Sequence, residues 1–395
     1  MNVLFLTTVL PARKLHGSEI ASQNFVEALQ HNQCNVTVVG YGRHEDGTCP
    51  VASHEVMVAD RAVETKQAKF QAIGWFALSL LKRLPYSAAK YISRDYIEQL
   101  KTQLVQQHYD AIVIDHAQLG WLMETVGGRY PVVFVAHNLE HDMYLQHYRN
   151  ARNWLSRWVY QREAKRMEQM EVKLGRTVTQ TWTLTEFDAD YFSKIPALGK
   201  VMPVSLPSGF VAPSAHNSSP KQFDIGIIGS WSWKPNLEGL EWFLAEVYPQ
   251  LPAAVSIHVA GRGIEWLSGK YPNVTYEGFV DSAQAFMSAA KVMAIPTLSG
   301  GGIQIKTLDA IASGAMIVGT PVAMRGIAQP PATVRIASEG PEFATELMAM
   351  IAANDSPAAV TGAITTAQDW QHDREQRFFQ EISDAMQAIQ ISPQP

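Results

Sequence analysis

The stretch Pro296–Gly314, PTLSGGGIQIKTLDAIASG, carries the residue types best suited to hold an anionic ligand. Gly300, Gly301 and Gly302 have no Cβ, so the backbone can come close to a ligand and reach φ values closed to other residues. A helix is expected to begin near Ile303. Its N-terminus offers free N–H groups and the positive end of the helix dipole, which suits a diphosphate. Lys306, in the first turn, can neutralise phosphate charge. Asp309 lies three residues further on and so shares a helix face with Lys306. A carboxylate there can accept hydrogen bonds from both hydroxyls of a ribose. Gly314 ends the helix. The run is neither a GxGxxG nor a P-loop, since no GK[ST] is present. The plain alternative is a Gly-rich turn with a surface Lys–Asp pair.

Other candidates are less specific. His116 follows the apolar run Ala111–Ile114 in Ile114-Asp115-His116, either as a site residue or as a polar cap on a buried strand. In Val135-Ala136-His137-Asn138-Leu139-Glu140-His141, His137 and Asn138 are expected to start a helix, with Asn138 a candidate N-cap. Asp188-Ala189-Asp190 matches a D-x-D metal pattern. It sits in Thr185-Glu186-Phe187-Asp188, which reads as a helix start where acids favour the dipole, so no metal site is assigned. Residues 73–95 and 149–166 combine tryptophan and other apolar residues with lysine and arginine. Such helices suit an anionic lipid surface, or else pack an aromatic face and solvate a basic one.

These residues need a frame. The chain has 395 residues, 47% hydrophobic and 17% charged, which is ordinary for a globular chain of two domains. A net charge of −5 does not resemble a nucleic-acid footprint. The two cysteines, Cys34 and Cys49, belong to no CxxC, which argues against a disulfide framework or structural zinc and fits a cytoplasmic setting. The N-terminal MNVLFLTTVLPARKLHG reads as a first buried strand rather than a signal peptide. Short Val/Ile runs at Val3–Leu6, Val36–Val39, Ala111–Ile114, Val132–Val135 and Thr179–Leu184 alternate with helical patterns such as Ala21, Phe25, Ala28 and Leu29. This is the signature of a parallel sheet covered on both faces. A Pro/Ser-rich break at 203–223 follows. The pattern restarts at Ile225–Ile228, with later strands at Val255–Ala260, Val274–Tyr276, Val292–Ile295 and Ala315–Val318. The organisation expected is therefore 1–205, a linker at 206–222, a second domain at 223–370, and a C-terminal helix at 371–395. In such sheets ligands sit outside the carboxyl ends of the strands.

The ordered set of motifs resembles GT-B retaining glycosyltransferases, in particular glycosyltransferase family four. Many of its members carry a Gly-rich loop, a basic residue and Leu-Glu-Ala; here the last element is Leu308-Asp309-Ala310. Gly229-Ser230-Trp231-Ser232-Trp233-Lys234-Pro235-Asn236 is similar to the G-S-x-x-x-x-P-N start of the C-terminal domain in one bacterial branch. Tyr276-Glu277-Gly278-Phe279-Val280, Gly319-Thr320-Pro321 and Arg325-Gly326-Ile327 also fit. Gly17-Ser18-Glu19, His116 and the H-N-x-E-H run at 137–141 extend the resemblance into the first half. It implies an α/β GT-B fold, two Rossmann-like domains facing across a cleft, with an N-terminal acceptor domain. It also implies retention at the anomeric carbon, no cofactor, and a UDP- or GDP-linked sugar as donor substrate.

In that reading, loop amides at Gly300–Ile303 and Lys306 hold the diphosphate, Asp309 the ribose, and Gly278–Phe279 the nucleobase. Gly17, Gly229 and Ser230 line the donor site, and His116 contacts the sugar or acceptor. The expected acceptor is a glycan, a glycolipid or lipid-linked sugar, or a small molecule, and the expected setting is the cytoplasm, including the inner membrane face. Many family members carry two glutamates eight positions apart; here the first is absent, as it commonly is in the GGG-type branch, with Gly301 in its place, and the second is kept as the shorter Asp309. A sugar-nucleotide epimerase of the same fold and a non-catalytic GT-B scaffold are the competing classes.

Overall fold

The computed structural model describes residues 1–12, 17–43, 52–61, 69–196, 199–211, 221–354 and 356–391. The chain forms two compact units, Met1–Leu206 with Arg377–Pro395, and Pro207–Gln376.

The first unit contains, in chain order, β1 (Asn2–Val9), α1 (Gly17–His31), β2 (Asn35–Arg43), β3 (Glu55–Arg61), α2 (Lys69–Leu81), α3 (Tyr86–Ala89), α4 (Arg94–Gln106) and β4 (Ala111–Asp115). It continues with α5 (Met123–Val126), β5 (Val132–Ala136), α6 (Glu140–Asn150), α7 (Trp154–Thr177), β6 (Gln180–Thr183), α8 (Glu186–Ser193) and β7 (Lys200–Pro203). All neighbouring strands are parallel, in the order β3-β2-β1-β4-β5-β6-β7. Helices cover both faces, so the Val, Leu, Ile and Phe side chains of β1 and β4 are buried. On α1, Ala21, Phe25, Ala28 and Leu29 are buried, as their helical spacing requires. The strand order reverses between β1 and β4. Leu6 pairs with Ile114 there, which sets Thr7 beside Asp115 at the carboxyl edge.

The second unit contains β8 (Phe223–Ile228), α9 (Lys234–Trp242), β9 (Ile257–Ala260), β10 (Val274–Gly278), α10 (Ala283–Ala289) and β11 (Ala290–Ile295). It continues with α11 (Ile305–Ala312), β12 (Met316–Gly319), β13 (Val334–Ile336) and α12 (Gly340–Ala353). Its sheet is again parallel, ordered β10-β9-β8-β11-β12-β13, and reverses between β8 and β11. The last helix, α13 (Pro357–Ile391), has its first part in this unit and its last part in the other.

Gly239 positions the end of β11. It is buried in α9, and a Cβ placed on it would overlap the carbonyl oxygen of Pro296, the first residue after the strand. Only glycine lets α9 lie this close to the start of the Gly-rich loop. Alanine gains ~0.8–1.0 kcal/mol of helix propensity, yet overpacking of this kind costs roughly 1–3 kcal/mol. Gly239→Ala is therefore expected to lower the melting temperature of the second unit by several degrees. An unchanged melting temperature would show that the loop tolerates displacement here.

Candidate functional site

In the second unit, the loop between β11 and α11 leaves the sheet at the reversal point. Gly300 and Gly302 take φ of 123° and 65°, values that side-chain-bearing residues rarely adopt. These turns keep the chain out of helix as far as Gln304, so α11 begins at Ile305 rather than near Ile303. Arg325 clamps the loop by donating to the Gly300 carbonyl at 2.8 Å. Thr320 Oγ1 donates to the Thr297 carbonyl beneath it.

Lys306 lies in the first turn of α11. Its Nζ donates to Asn236 Oδ1 at 2.7 Å, and Asn236 Nδ2 donates to the Ser230 carbonyl at 3.0 Å. The Gly229–Asn236 segment and the Gly-rich loop are thus one hydrogen-bonded unit around a crevice that includes Trp231, Thr297 and Lys306. Burial lowers the Lys306 pKa to about 8, because the charged ammonium loses part of its water there. Thr297 Oγ1 is buried here with no hydrogen-bond partner among the described residues.

Asp309 shares α11 with Lys306 but meets a different neighbour. Ser208 Oγ donates to Asp309 Oδ1 at 2.7 Å. Burial raises the Asp309 pKa to about 6, opposed by the bonds from Ser208 and the Gly209 backbone. Ser208 falls in the stretch the sequence reading treats as linker, so no pattern signalled it. Gly278 ends β10, its carbonyl accepting from Gly261 N–H at 2.6 Å. Phe279 is exposed, with the Arg262 guanidinium 4.3 Å above its ring. Arg262, which the sequence reading passed over, makes this a cationic, flat-faced platform next to Gly278.

The first unit carries a separate polar cavity of about 170 Å³ at its own reversal point, lined by Thr7, Ser18, Glu19, His116, Gln118 and Glu140 among others. Gly17 opens α1, whose Ser18, Glu19 and Ser22 line this cavity. Asp115 anchors its floor. Its carboxylate accepts from Thr7 Oγ1 at 2.8 Å, Ser22 Oγ at 2.6 Å and His137 Nε2 at 2.6 Å. Burial alone would raise its pKa, but His116, His137 and these bonds hold it well below the usual carboxylate range. His116 has φ 79°, unusual for a side-chain-bearing residue. Its ring stacks on His137 at 3.9 Å between centroids. Burial pushes its pKa down to about 4 despite the attraction of Asp115, so it is a neutral imidazole at pH 7. Asp115, His116 and His137 have ligand-type atoms within 4.8 Å of one another. With three donors on the carboxylate, they form a hydrogen-bond network.

The H-N-x-E-H run distributes its side chains. His137 reaches Asp115, Glu140 lines the cavity, and His141 Nδ1 lies 2.7 Å from Glu171 on α7. Burial, then Glu171, raises the Glu140 pKa to about 7. Asn138 is not an N-cap. The helix starts at Glu140 with Leu139 at the cap position, because the Glu171 carboxylate takes the Glu140 and His141 N–H groups that a cap would have bound. The two acids of the D-x-D pattern part company: Asp188 is buried and exchanges bonds with the N-cap Thr185, while exposed Asp190 pairs with Lys194.

Residues 222–369 match the family model described as glycosyl transferases group 1. No curated protein matches the chain. Solved structures do. The sucrose-phosphate synthase of Thermosynechococcus elongatus is 15% identical with a TM-score of 0.66, covering 99% of this chain and 98% of that one. WaaG, a glycosyltransferase involved in lipopolysaccharide biosynthesis, is 14% identical with a TM-score of 0.62, covering 99% and 100%. Anabaena Alr3699/HepE, solved in complex with UDP and glucose, is 14% identical with a TM-score of 0.61, covering 98% and 100%. The likeness shows the GT-B fold, and with the group 1 domain the chain is a glycosyltransferase.

Proposed function

We propose that the chain is a retaining transferase of the family-four type, which moves a sugar from a UDP-sugar to a hydroxyl of a glycan or lipid-linked acceptor. The observation that carries this reading is the partly desolvated Lys306, tied through Asn236 to the Gly229–Ser230 turn at the mouth of the Gly-rich loop. That arrangement sets a cation beside the backbone of the Gly-rich loop, where a diphosphate leaves. As the anomeric bond breaks, its electron pair goes to the diphosphate; the acceptor oxygen bonds the anomeric carbon and its proton passes to an oxygen of the leaving diphosphate, whose charge the loop amides of Gly300–Ile303 and Lys306 stabilise. Asp309 holds the ribose by exchanging Ser208 for its hydroxyls. Gly278 and Phe279, with Arg262, take the base, and uracil fits this flat platform. In the other unit, neutral His116 contacts the transferred sugar or the acceptor hydroxyl. The donor is a substrate, and no further cofactor enters the reaction. A cytoplasmic setting at a site of surface-glycan assembly completes the reading. The UDP-bound state of a structural neighbour supports the choice of base.

Calorimetric titration with UDP, GDP, ADP and dTDP tests it. Selective binding of UDP, weakened at least ten-fold in Lys306→Ala and Asp309→Ala, is expected. Failure of all four to bind would remove the donor site and leave a scaffold of this fold; selective binding of another diphosphate would correct the base alone.

A further inference from the structure

We infer that α2 and the N-terminal half of α7 form one face of the first unit that docks on an anionic lipid bilayer. Seven of the seventeen large exposed hydrophobic residues among the described residues lie on these two segments, which decides against chance scatter. On α2, Ile73, Phe76, Leu80 and Leu81 are 71, 37, 48 and 83% exposed, while Trp75 and Ser79 on the other side are buried. On α7, Trp154, Leu155 and Trp158 are 79, 53 and 50% exposed.

The segments are neighbours. Arg162 Nη2 donates to the Ser79 and Leu84 carbonyls, at 3.0 and 3.4 Å, and Glu163 accepts from Tyr86 N–H at 2.6 Å. Trp158 and Leu155 lie one and two turns before Arg162 on the same side of α7, so their surface continues into that of α2. Asn153 caps α7 by accepting from Ser156 N–H at 2.8 Å, so the tryptophans stand on an ordered helix start.

Charge identifies the occupant. Residues 71–94 and 149–162 contain no Asp or Glu, in a chain whose net charge is −5. Exposed Lys82, Arg83, Arg149, Arg152 and Arg157 rim the apolar side chains. A second copy of the chain on this face would set cation against cation. A polyanion without apolar character would leave Ile73 and Leu81 in water. A bilayer carrying acidic headgroups satisfies both parts: the aliphatic and tryptophan side chains enter the boundary region, and lysine and arginine meet the headgroups. No helix among the described residues is long and apolar enough to cross a membrane, so the mode is peripheral.

Vesicle flotation of the full chain tests this. Binding to phosphatidylglycerol/phosphatidylethanolamine vesicles is expected to exceed binding to phosphatidylcholine vesicles at least ten-fold and to fall at least ten-fold between 0.1 and 0.5 M NaCl. Leu81→Asp combined with Trp158→Asp should cut it at least ten-fold, with unchanged circular dichroism. Equal partition onto both vesicle types, or wild-type partition in the double variant, would overturn the inference. So would a dimer in sedimentation that the same variant dissociates, since a second copy would then cover the face.

Discussion

Lys306→Ala is expected to lower turnover by about 10²–10³-fold while leaving the protein folded. The size follows from where the charge sits. A unit charge ~4 Å from a phosphate oxygen gains about 4 kcal/mol at an effective dielectric constant near 20, and removal of one preorganised donor from a developing oxyanion typically costs ~2.7–4 kcal/mol. Burial that lowers the Lys306 pKa to about 8 means the ammonium is held at a cost that a bound diphosphate offsets. Fold stability should change little, because the substitution removes a desolvated cation and leaves Asn236 its second bond, to Ser230. Lys306→Arg should not rescue turnover: a planar guanidinium cannot occupy the place of one Nζ against Asn236. Steady-state kinetics with melting curves on both variants decide the matter. Wild-type turnover in Lys306→Ala would sink the donor assignment whatever the nucleotide titration shows.

That Lys306 and Asp309 share one helix just after the triple glycine could be read in the sequence because the spacing is local and needs no knowledge of the rest of the fold. Buried strands such as β1, β4, β5, β8 and β11 could be read for a related reason, since a strand covered on both faces carries a near-continuous apolar run. The strands that escaped, β3, β7 and β13, all lie at sheet edges, where one flank is open and the pattern is broken; in β7 the Lys200–Pro203 side chains are exposed or half-buried. Long-range partners escaped for a different reason. Nothing in the composition of the Pro/Ser-rich break marks Ser208 as the residue that will reach Asp309, 101 positions away. Arg262 stacks on Phe279 across two strand ends, and Asp115 draws on Thr7 and Ser22 from β1 and α1. Asn138 shows the opposite failure. A good local cap residue is passed over because Glu171, from a distant helix, already supplies the acceptor.

Asp115→Asn is expected to destabilise the first unit by about 3 kcal/mol at pH 7. The carboxylate accepts from two hydroxyls and one imidazole. Hydrogen bonds to a charged group contribute roughly 1.5–3 kcal/mol each, and an amide nitrogen turned toward the same partners forces at least one donor to face another. The acid dependence separates Asp115 from its neighbour. His116 is neutral in the fold because burial pushes its pKa down to about 4, whereas an unfolded histidine takes up a proton near pH ~6.5. As pH falls from 6.5 to 4, the His116 site takes up its proton in the unfolded chain first, and its contribution to stability drops by up to about 3 kcal/mol. Asp115 is shifted the other way along the scale, below the usual carboxylate range; its contribution is complete above pH ~4 and is lost only below it. Glu140, raised to about 7, runs the other way and gains stability as pH falls, so the His116 contribution is read as the difference between wild type and His116→Gln: the urea midpoint of the variant should gain on that of the wild type as pH falls from 6.5 to 4. Asp115→Asn should lie below the wild type throughout that range, and the gap should close only under more acid conditions. A difference between wild type and His116→Gln that is flat from pH 6.5 to 4 would mean that His116 is protonated in the fold, and the network would then be an ion pair rather than a neutral imidazole stacked over a charged floor.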